Sequence, residues 1–415
     1  MFNFFLLFCL YLPFQVALNP LLGVDLASIR ILILILFFIW ILFGIRSKKN
    51  ILSLNIQAKL VVVFLGLGLI SVLFAQNLDW SLRKIFYLIS IFPIYFIARN
   101  ILSEKEGHLK VLERLVFSGA VLSFIGVVQF FSQFFWSHEK IYRFYVKFIG
   151  PTFWGESLTQ MVAEHSSWLV SIANQNYFRA ISIFPDPHTF SLFLGMLIPV
   201  AFCLFLLSKQ KKIWLFSFLV ILLADILTFS RGAYLGILFG LIFFIFNFWK
   251  QISGRRRAII GLGIILFFLF SAANPVSQRL ISSFNLKEGS NLGRIQMWEE
   301  AVMVISQKPI FGTGIGNFSL EINKDVKYRN PIYAHNTYLD IAAEEGILAG
   351  LIWILILAVT LIKFRILSRN NLIYTGLTGS LVIFSTHSLV ETGIYSPVVL
   401  TLFLILISFY PQYEN

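Results

Sequence analysis

Three side chains combine a chemically useful type with an unusual address. Arg231 falls between two apolar runs in FSRGAYLG (229–236), Arg294 opens GRIQMWEEAVMVISQKPIFGTGIGNF (293–318), and His335 stands at the head of AHNTYLDIAAEEGILAG (334–350). A guanidinium stays charged and grips a phosphate through two parallel N–H···O bonds. A pair of them can hold a diphosphate and stabilise its departure without a metal. An imidazole can take the proton from a hydroxyl as that oxygen attacks carbon. An arginine at lipid depth is costly unless it snorkels, pairs or faces water, so Arg231 reads first as functional. Together the trio suits transfer of a sugar from a lipid-linked diphosphate to a hydroxyl, provided that one membrane face collects all three.

The elements that must position them are membrane helices. The chain has 415 residues, 58% hydrophobic and only 13% charged, which excludes an ordinary soluble protein. A spanning helix needs about 20 mostly apolar residues. Such runs occur near 3–22, 26–45, 58–75, 82–98, 112–135, 188–207, 213–229, 232–249, 258–272, 336–362, 372–389 and 394–410. The expected class is therefore an all-α polytopic membrane protein of about twelve transmembrane helices, a single membrane domain over 1–415.

Lysine and arginine set the orientation. Alternate loops hold Arg46, Lys48, Lys49 and Lys59; Arg99, Lys105, Lys110 and Arg114; Lys209, Lys211 and Lys212; Lys250, Arg255, Arg256 and Arg257; and Lys363, Arg365 and Arg369. These loops are expected to be cytoplasmic, with both termini. The opposite connections contribute Arg30, Arg83, Lys84 and Arg231. The same parity puts 136–187 and 273–335 outside, as two long segments with short amphipathic helices, the second carrying the motifs. The formal charge of +13 thus reads as topology and contact with membrane lipids, not as nucleic-acid binding. Asp25 is the first charged residue, so the first apolar run reads as a retained helix. Cys9 and Cys203 lie in apolar runs, and His138, His165 and His188 lack metal-ligand spacing. No metal or other cofactor is expected.

Local signals refine the picture. Trp154, Trp168 and Tyr177 read as interfacial anchors or as a sugar-stacking shelf. Asp186, between two prolines, reads as a turn former, and Asp225 is left open between a structural and a functional role. Arg294, Met297, Trp298, Ala301 and Val302 recur at helical spacing in a helix expected to lie against the membrane. Gly312–Gly316 is no dinucleotide fingerprint but a returning turn whose N–H groups could hold an anion. Asn336 can cap a helix that places Asp340 and Glu344 on one face, and Gly346 and Gly350 suit close helix packing.

As an ordered set, the three quoted motifs resemble the O-antigen ligase and O-antigen polymerase superfamily of bacterial envelope enzymes, over about the C-terminal half of the chain. The resemblance implies a multi-helix glycosyltransferase of the GT-C type. It would use an undecaprenyl-diphosphate-linked glycan donor, need neither metal nor nucleotide, and invert the anomeric carbon. Arg231 and Arg294 then take the diphosphate, and His335 is the acceptor base or positioner. Arg179, just ahead of FPDPHTF, matches loosely as a further donor-side arginine, and Asn336, Trp298 and Glu345 join it as candidate substrate-binding residues. The implied place is the bacterial cytoplasmic (inner) membrane, with the site facing outside. The implied acceptor is the lipid A core or a growing lipid-linked glycan, with protein O-oligosaccharyltransferase as the alternative in the same superfamily. The lack of an added soluble domain after the last helix weights this toward ligase or polymerase. A polysaccharide flippase is the competing class; it would line a midplane path, whereas here the polar groups gather outside.

Overall fold

The computed structural model describes residues 1–21, 24–47, 54–103, 107–164, 166–172, 174–248, 254, 279, 289–328 and 331–411. The apolar run near 258–272, most of 273–288, His165, and the cations Lys48, Lys49, Lys105, Lys250, Arg255, Arg256 and Arg257 lie outside them.

The described chain is mostly helical. Its helices are α1 Phe2–Tyr11, α2 Ser28–Ser47, α3 Ile56–Ser71, α4 Leu78–Ile91, α5 Pro93–Ile101, α6 Gly107–Ser132, α7 His138–Phe144, α8 Gly150–Phe153 and α9 Glu156–Glu164. After these come α10 Pro187–Leu207, α11 Lys211–Leu227, α12 Arg231–Phe248, α13 Gly289–Gln307, α14 Phe318–Ile322, α15 Thr337–Glu345, α16 Ile347–Leu367, α17 Leu372–His387 and α18 Pro397–Ile407. Two antiparallel hairpins interrupt the helices, β1 Ala17–Leu21 with β2 Val24–Ala27, and β3 Leu169–Ile172 with β4 Gln175–Phe178. The class is thus mostly, not purely, helical.

Among the described residues, six helices are long and apolar enough to cross a membrane: Ser28–Arg46, Ile56–Phe74, Leu78–Ile101, Gly107–Ser132, Pro187–Leu207 and Ile347–Leu367. Shorter apolar helices cover Phe2–Phe14, Arg231–Phe246 and Pro397–Ile407. These make the chain a multi-pass membrane protein. Two expected spans are broken. The run 3–22 is an α-helix only to Tyr11; a single 3-10 turn, Leu12–Phe14 with Pro13 at its centre, and then β1 follow. The run 336–362 divides at Gly346, whose φ of 90° is open to glycine but costly for other residues. A Cβ there would also lie 2.0 Å from the Ile310 carbonyl oxygen. Gly346 therefore ends α15 and lets the 310–316 turn dock; it does not serve helix–helix packing.

The core gathers around α10, which packs on α6, α11, α12 and α17. Its start is fixed by Asp186, whose carboxylate accepts the Thr189 N–H at 2.8 Å, so the residue between the prolines is a helix cap. Asp225 is fully buried in α11. The glycine turn is also structural. Gly312 N–H donates to Lys308 O, Thr313 N–H to Ala343 O, and Ile315 N–H to the Ser71 hydroxyl, which takes those three donors from any anion.

Candidate functional site

The ends of four elements meet where the chemistry-bearing residues lie. Arg231 is the first residue of α12, Arg294 lies in the first half of α13, His335 is two residues before α15, and Glu391 is in the turn after α17. Asn336 caps α15, its side chain accepting the N–H groups of Tyr338 (3.0 Å) and Leu339 (3.2 Å). This leaves His335 just outside the helix with φ 50°, a left-handed conformation that a non-glycine residue holds only when its surroundings impose it. Asp340 supplies that constraint: one carboxylate oxygen accepts the Ala334 N–H at 2.8 Å, and the other accepts the Thr392 hydroxyl. Thr337 adds a hydroxyl bond to the Glu391 carbonyl at 2.9 Å. The His335 loop and the Glu391 turn are therefore one unit.

Within it, His335 Nδ1 is 3.0 Å from Glu391 Oε1. Arg294 Nη2 and His188 Nδ1 each lie 3.6 Å from Glu391 Oε2. Because a carboxylate only accepts, Nδ1 of His335 carries the proton of that bond, and Nε2 of the neutral ring keeps its lone pair. The His335 side chain is 48% exposed, against 13% for Glu391, so the ring is the open member of the pair. The Glu391 carboxylate raises the His335 pKa above the usual imidazole range, with burial opposing it. Burial alone would raise Glu391; the charges of His335 and His188, the His335 hydrogen bond and Arg294 instead hold it well below the usual carboxylate range.

The arginines close the other side. Arg179 is buried, its Nε donating to Thr228 O (2.6 Å) and its Nη1 to Ser167 O (3.1 Å), while Nη2 has no hydrogen-bond partner among the described residues. Burial, then the nearby Arg279, lowers its pKa to about 9, which still leaves it charged at neutral pH. Its Nη1 is 3.5 Å from His188 Nε2, and His188 Nδ1 is 3.3 Å from the Ser230 hydroxyl. Arg231 donates from Nη1 to Asn291 at 2.9 Å, one turn before Arg294 on α13. Arg279 reaches the Phe229 carbonyl at 3.4 Å. Two of these cations, Arg179 and Arg279, thus grip the backbone at Thr228 and Phe229. Gly232 follows, and a Cβ there would lie 2.3 Å from the ring of fully buried His387.

The structure brings together Arg179, Arg231, Arg294 and His335. Asn336 is present as the cap. Trp298, one turn beyond Arg294, packs on the small cluster of Ala301, Val304, Phe318 and Ala334. Glu345 is placed elsewhere: it faces Gly68 of α3. Sequence reading missed Glu391 and treated His188 only as a failed metal ligand. Glu391 had a signal, being the acid in the short connection between the runs 372–389 and 394–410, which the charge parity places on the same side as His335. Trp154 and Trp168 are neither anchors nor a sugar shelf. Both are buried, with indole N–H groups donating to Ile183 O and Pro185 O at 2.7 Å.

With this geometry in view, the similarity of the chain to known proteins becomes informative. Residues 216–354 match the family model described as O-Antigen ligase. The match includes Arg231, Arg294 and His335 and leaves Arg179, His188 and Glu391 outside. A general O-oligosaccharyltransferase of Acinetobacter baylyi is 29% identical over 214 residues, 46% of this chain and 37% of that protein. A ComP-specific O-oligosaccharyltransferase of the same organism is 24% identical over 322 residues, 69% of this chain and 57% of that protein. An uncharacterized Haemophilus influenzae protein is 28% identical over 189 residues, 40% of this chain and 47% of that protein. The chain therefore spans only about half, or less, of the length of these relatives. The family match across the three chemistry-bearing motifs, joined to the two transferase relatives, supports a likeness of this chain to the O-antigen ligase superfamily over residues 216–354.

Proposed function

We propose that the protein is a ligase-type glycosyltransferase that moves glycan from an undecaprenyl-diphosphate donor to an acceptor hydroxyl at the outer face of the cytoplasmic membrane. The observation that carries this reading is the junction of His335, paired to Glu391 and open on its other side, with Arg294, Arg231 and Arg179. In the proposed step the acceptor oxygen attacks the anomeric carbon, and the bond from that carbon to the diphosphate oxygen breaks. The electron pair leaves on the diphosphate, which the guanidinium groups stabilise. The hydroxyl proton passes to His335 Nε2, and Glu391 stabilises the imidazolium formed. A single displacement of this kind inverts the anomeric centre.

The acceptor in this reading is the lipid A core or a growing lipid-linked polysaccharide. A second acceptor class, a protein hydroxyl, draws support from the O-oligosaccharyltransferase names of two relatives. Purified protein in lipid, given polyprenyl-diphosphate-linked glycan and each acceptor in turn, tests both. Transfer is expected to survive EDTA, because arginines take the cation's place. Loss of transfer in EDTA that magnesium or manganese restores would overturn the arginine-clamp chemistry, and transfer to none of the acceptors would remove the proposal.

A further inference from the structure

The stretch after α6 has an apolar surface that does not join the protein core. Phe135 is 85% exposed and Trp136 61%; Phe134, Phe144 and Phe148 are each more than half exposed. The opposite side is firmly packed. Ile141 and Tyr145 are buried with Trp154, Trp168 and Phe178, and the Tyr145 hydroxyl donates to Ser182 O at 2.6 Å. The phenylalanines thus face outward from an ordered aromatic core.

The course of α6 indicates what covers them. This helix is a candidate span, and its exposed apolar positions, besides Leu109 and Ile125, form a series of Phe117, Val121, Phe124, Val128 and Phe131 that reaches Phe135 beyond its last turn. Spacings of alternately four and three residues keep them on one helix face. The lipid-facing stripe of a membrane helix therefore continues without a break into Phe135 and Trp136. Cations border the same surface: Lys140, Arg143 and Lys147 are exposed, Arg143 pairs with Glu139, and Lys147 Nζ lies 5.3 Å from the Phe148 ring centroid. Aromatic rings beside snorkelling cations at the end of a span are the chemistry of the bilayer headgroup layer.

We propose that residues 134–148 form an interfacial arm lying in the headgroup layer at the Ser132 end of α6, with Phe135, Trp136, Phe144 and Phe148 reaching the acyl boundary. The arm is tied to the site. His138 and Phe178 have ring centroids 6.4 Å apart, and Phe178 is followed by Arg179. This inference is independent of the reaction proposed above.

The test uses the full chain with Cys9→Ala and Cys203→Ala, in lipid nanodiscs loaded at one chain per disc. An environment-sensitive fluorophore is attached at Phe144→Cys, Phe148→Cys or Phe135→Cys, and at Glu139→Cys as the water-facing control within the arm. The three aromatic positions are expected to be shielded from aqueous iodide by about fivefold relative to position 139, and to be quenched best by spin-labelled lipid whose label sits near the headgroup. Equal iodide quenching at 139 and 148 would overturn the proposal. So would strongest quenching by a label deep in the acyl chain, which would mean insertion, or shielding that arises only at two chains per disc, which would make the surface a contact between copies. Three aromatic positions allow for one that fails to fold.

Discussion

The two ends of α15 carry acids of the same kind in opposite settings. At its start, Asp340 binds two loops together and Glu391 pairs with a half-exposed His335 beside a group of arginines. At its end, Glu344 meets Lys84 at 2.6 Å with both side chains nearly buried, and accepts the Tyr395 hydroxyl at 3.2 Å. The Lys84 ammonium lies 3.5 Å from the Tyr395 ring centroid and 5.5 Å from that of Tyr333, and these two rings stack on each other. Lys84 and Glu344 are closed by their own partners. Among the described residues the His335 end has a half-exposed ring nitrogen and an Arg179 N–H left over, and it is capacity on an open ring, unlike the enclosed Glu345 oxygen at the other end, that distinguishes a site from a strut.

The sharpest way to break this comparison is at His335. His335→Ala is expected to lower transfer about 10²–10⁴-fold while leaving donor binding and thermal unfolding near wild type. Arg294→Lys and Arg231→Lys are expected to weaken donor binding despite keeping charge, because an ammonium lacks the fork. Parallel donor-binding and transfer assays separate the two roles. Near-normal transfer by folded His335→Ala would reduce this end of α15 to a second strut.

A smaller effect is expected at Glu391. Its carboxylate holds the His335 pKa up, so the acidic limb of the pH–rate profile, where the base is protonated, should lie above the ordinary imidazole value of about 6.5. Glu391→Gln removes that charge and moves the limb to lower pH. The maximum rate should fall about tenfold to a hundredfold, since a weaker and less well-held base remains. A transfer profile from pH 5 to 9 reads both changes. A limb that stays in place would show that His335 is not the titrating base.

How much of this was legible before folding varies with the distance over which each signal acts. Arg231, Arg294 and His335 announced themselves because a charge or an imidazole is locally incongruous in an apolar chain. The Asn336 cap was legible because capping is settled within three residues, whereas Asp186 read only as a turn former and its capping of α10 emerged from the structure. Glu391 was not, because it gains meaning only when the chain brings it 3.0 Å from a histidine 56 residues earlier. The break at Gly346 fell inside one expected span, behind Asp340, Glu344 and Glu345; its φ of 90° and the close approach of Ile310, from a segment that sequence periodicity cannot place, emerge only in the fold. The broken run 3–22 was partly legible, since Pro13 and Pro20 both lie within it.

The Lys84 end should respond in stability instead of chemistry. Lys84→Met leaves Glu344 as a buried acid with its cation removed, a change that costs about 3–5 kcal/mol in comparable settings. The variant should unfold at lower temperature yet transfer normally per folded molecule. Adding Glu344→Gln should recover part of the loss, because no charge then remains to desolvate. A Lys84→Met protein that is fully stable but inactive would move Lys84 into the site.

Glu345 gives the smallest expected effect and the finest division between the two ends. It is buried against α3, its Oε2 has no hydrogen-bond partner among the described residues, and the nearby lysine is already taken by Glu344. Gly68 keeps room for it, since a Cβ there would lie 3.0 Å from that oxygen. Glu345→Gln preserves the shape and removes an acid that no counterion matches, so the variant should be at least as stable as the parent, within about 0.5 kcal/mol or better. Transfer and donor binding should not change. Thermal unfolding in lipid beside the transfer assay reads both quantities. A tenfold fall in transfer with unchanged stability would mean that Glu345 reaches the substrate from behind α15, and the closed end of that helix would then belong to the same site as the open one.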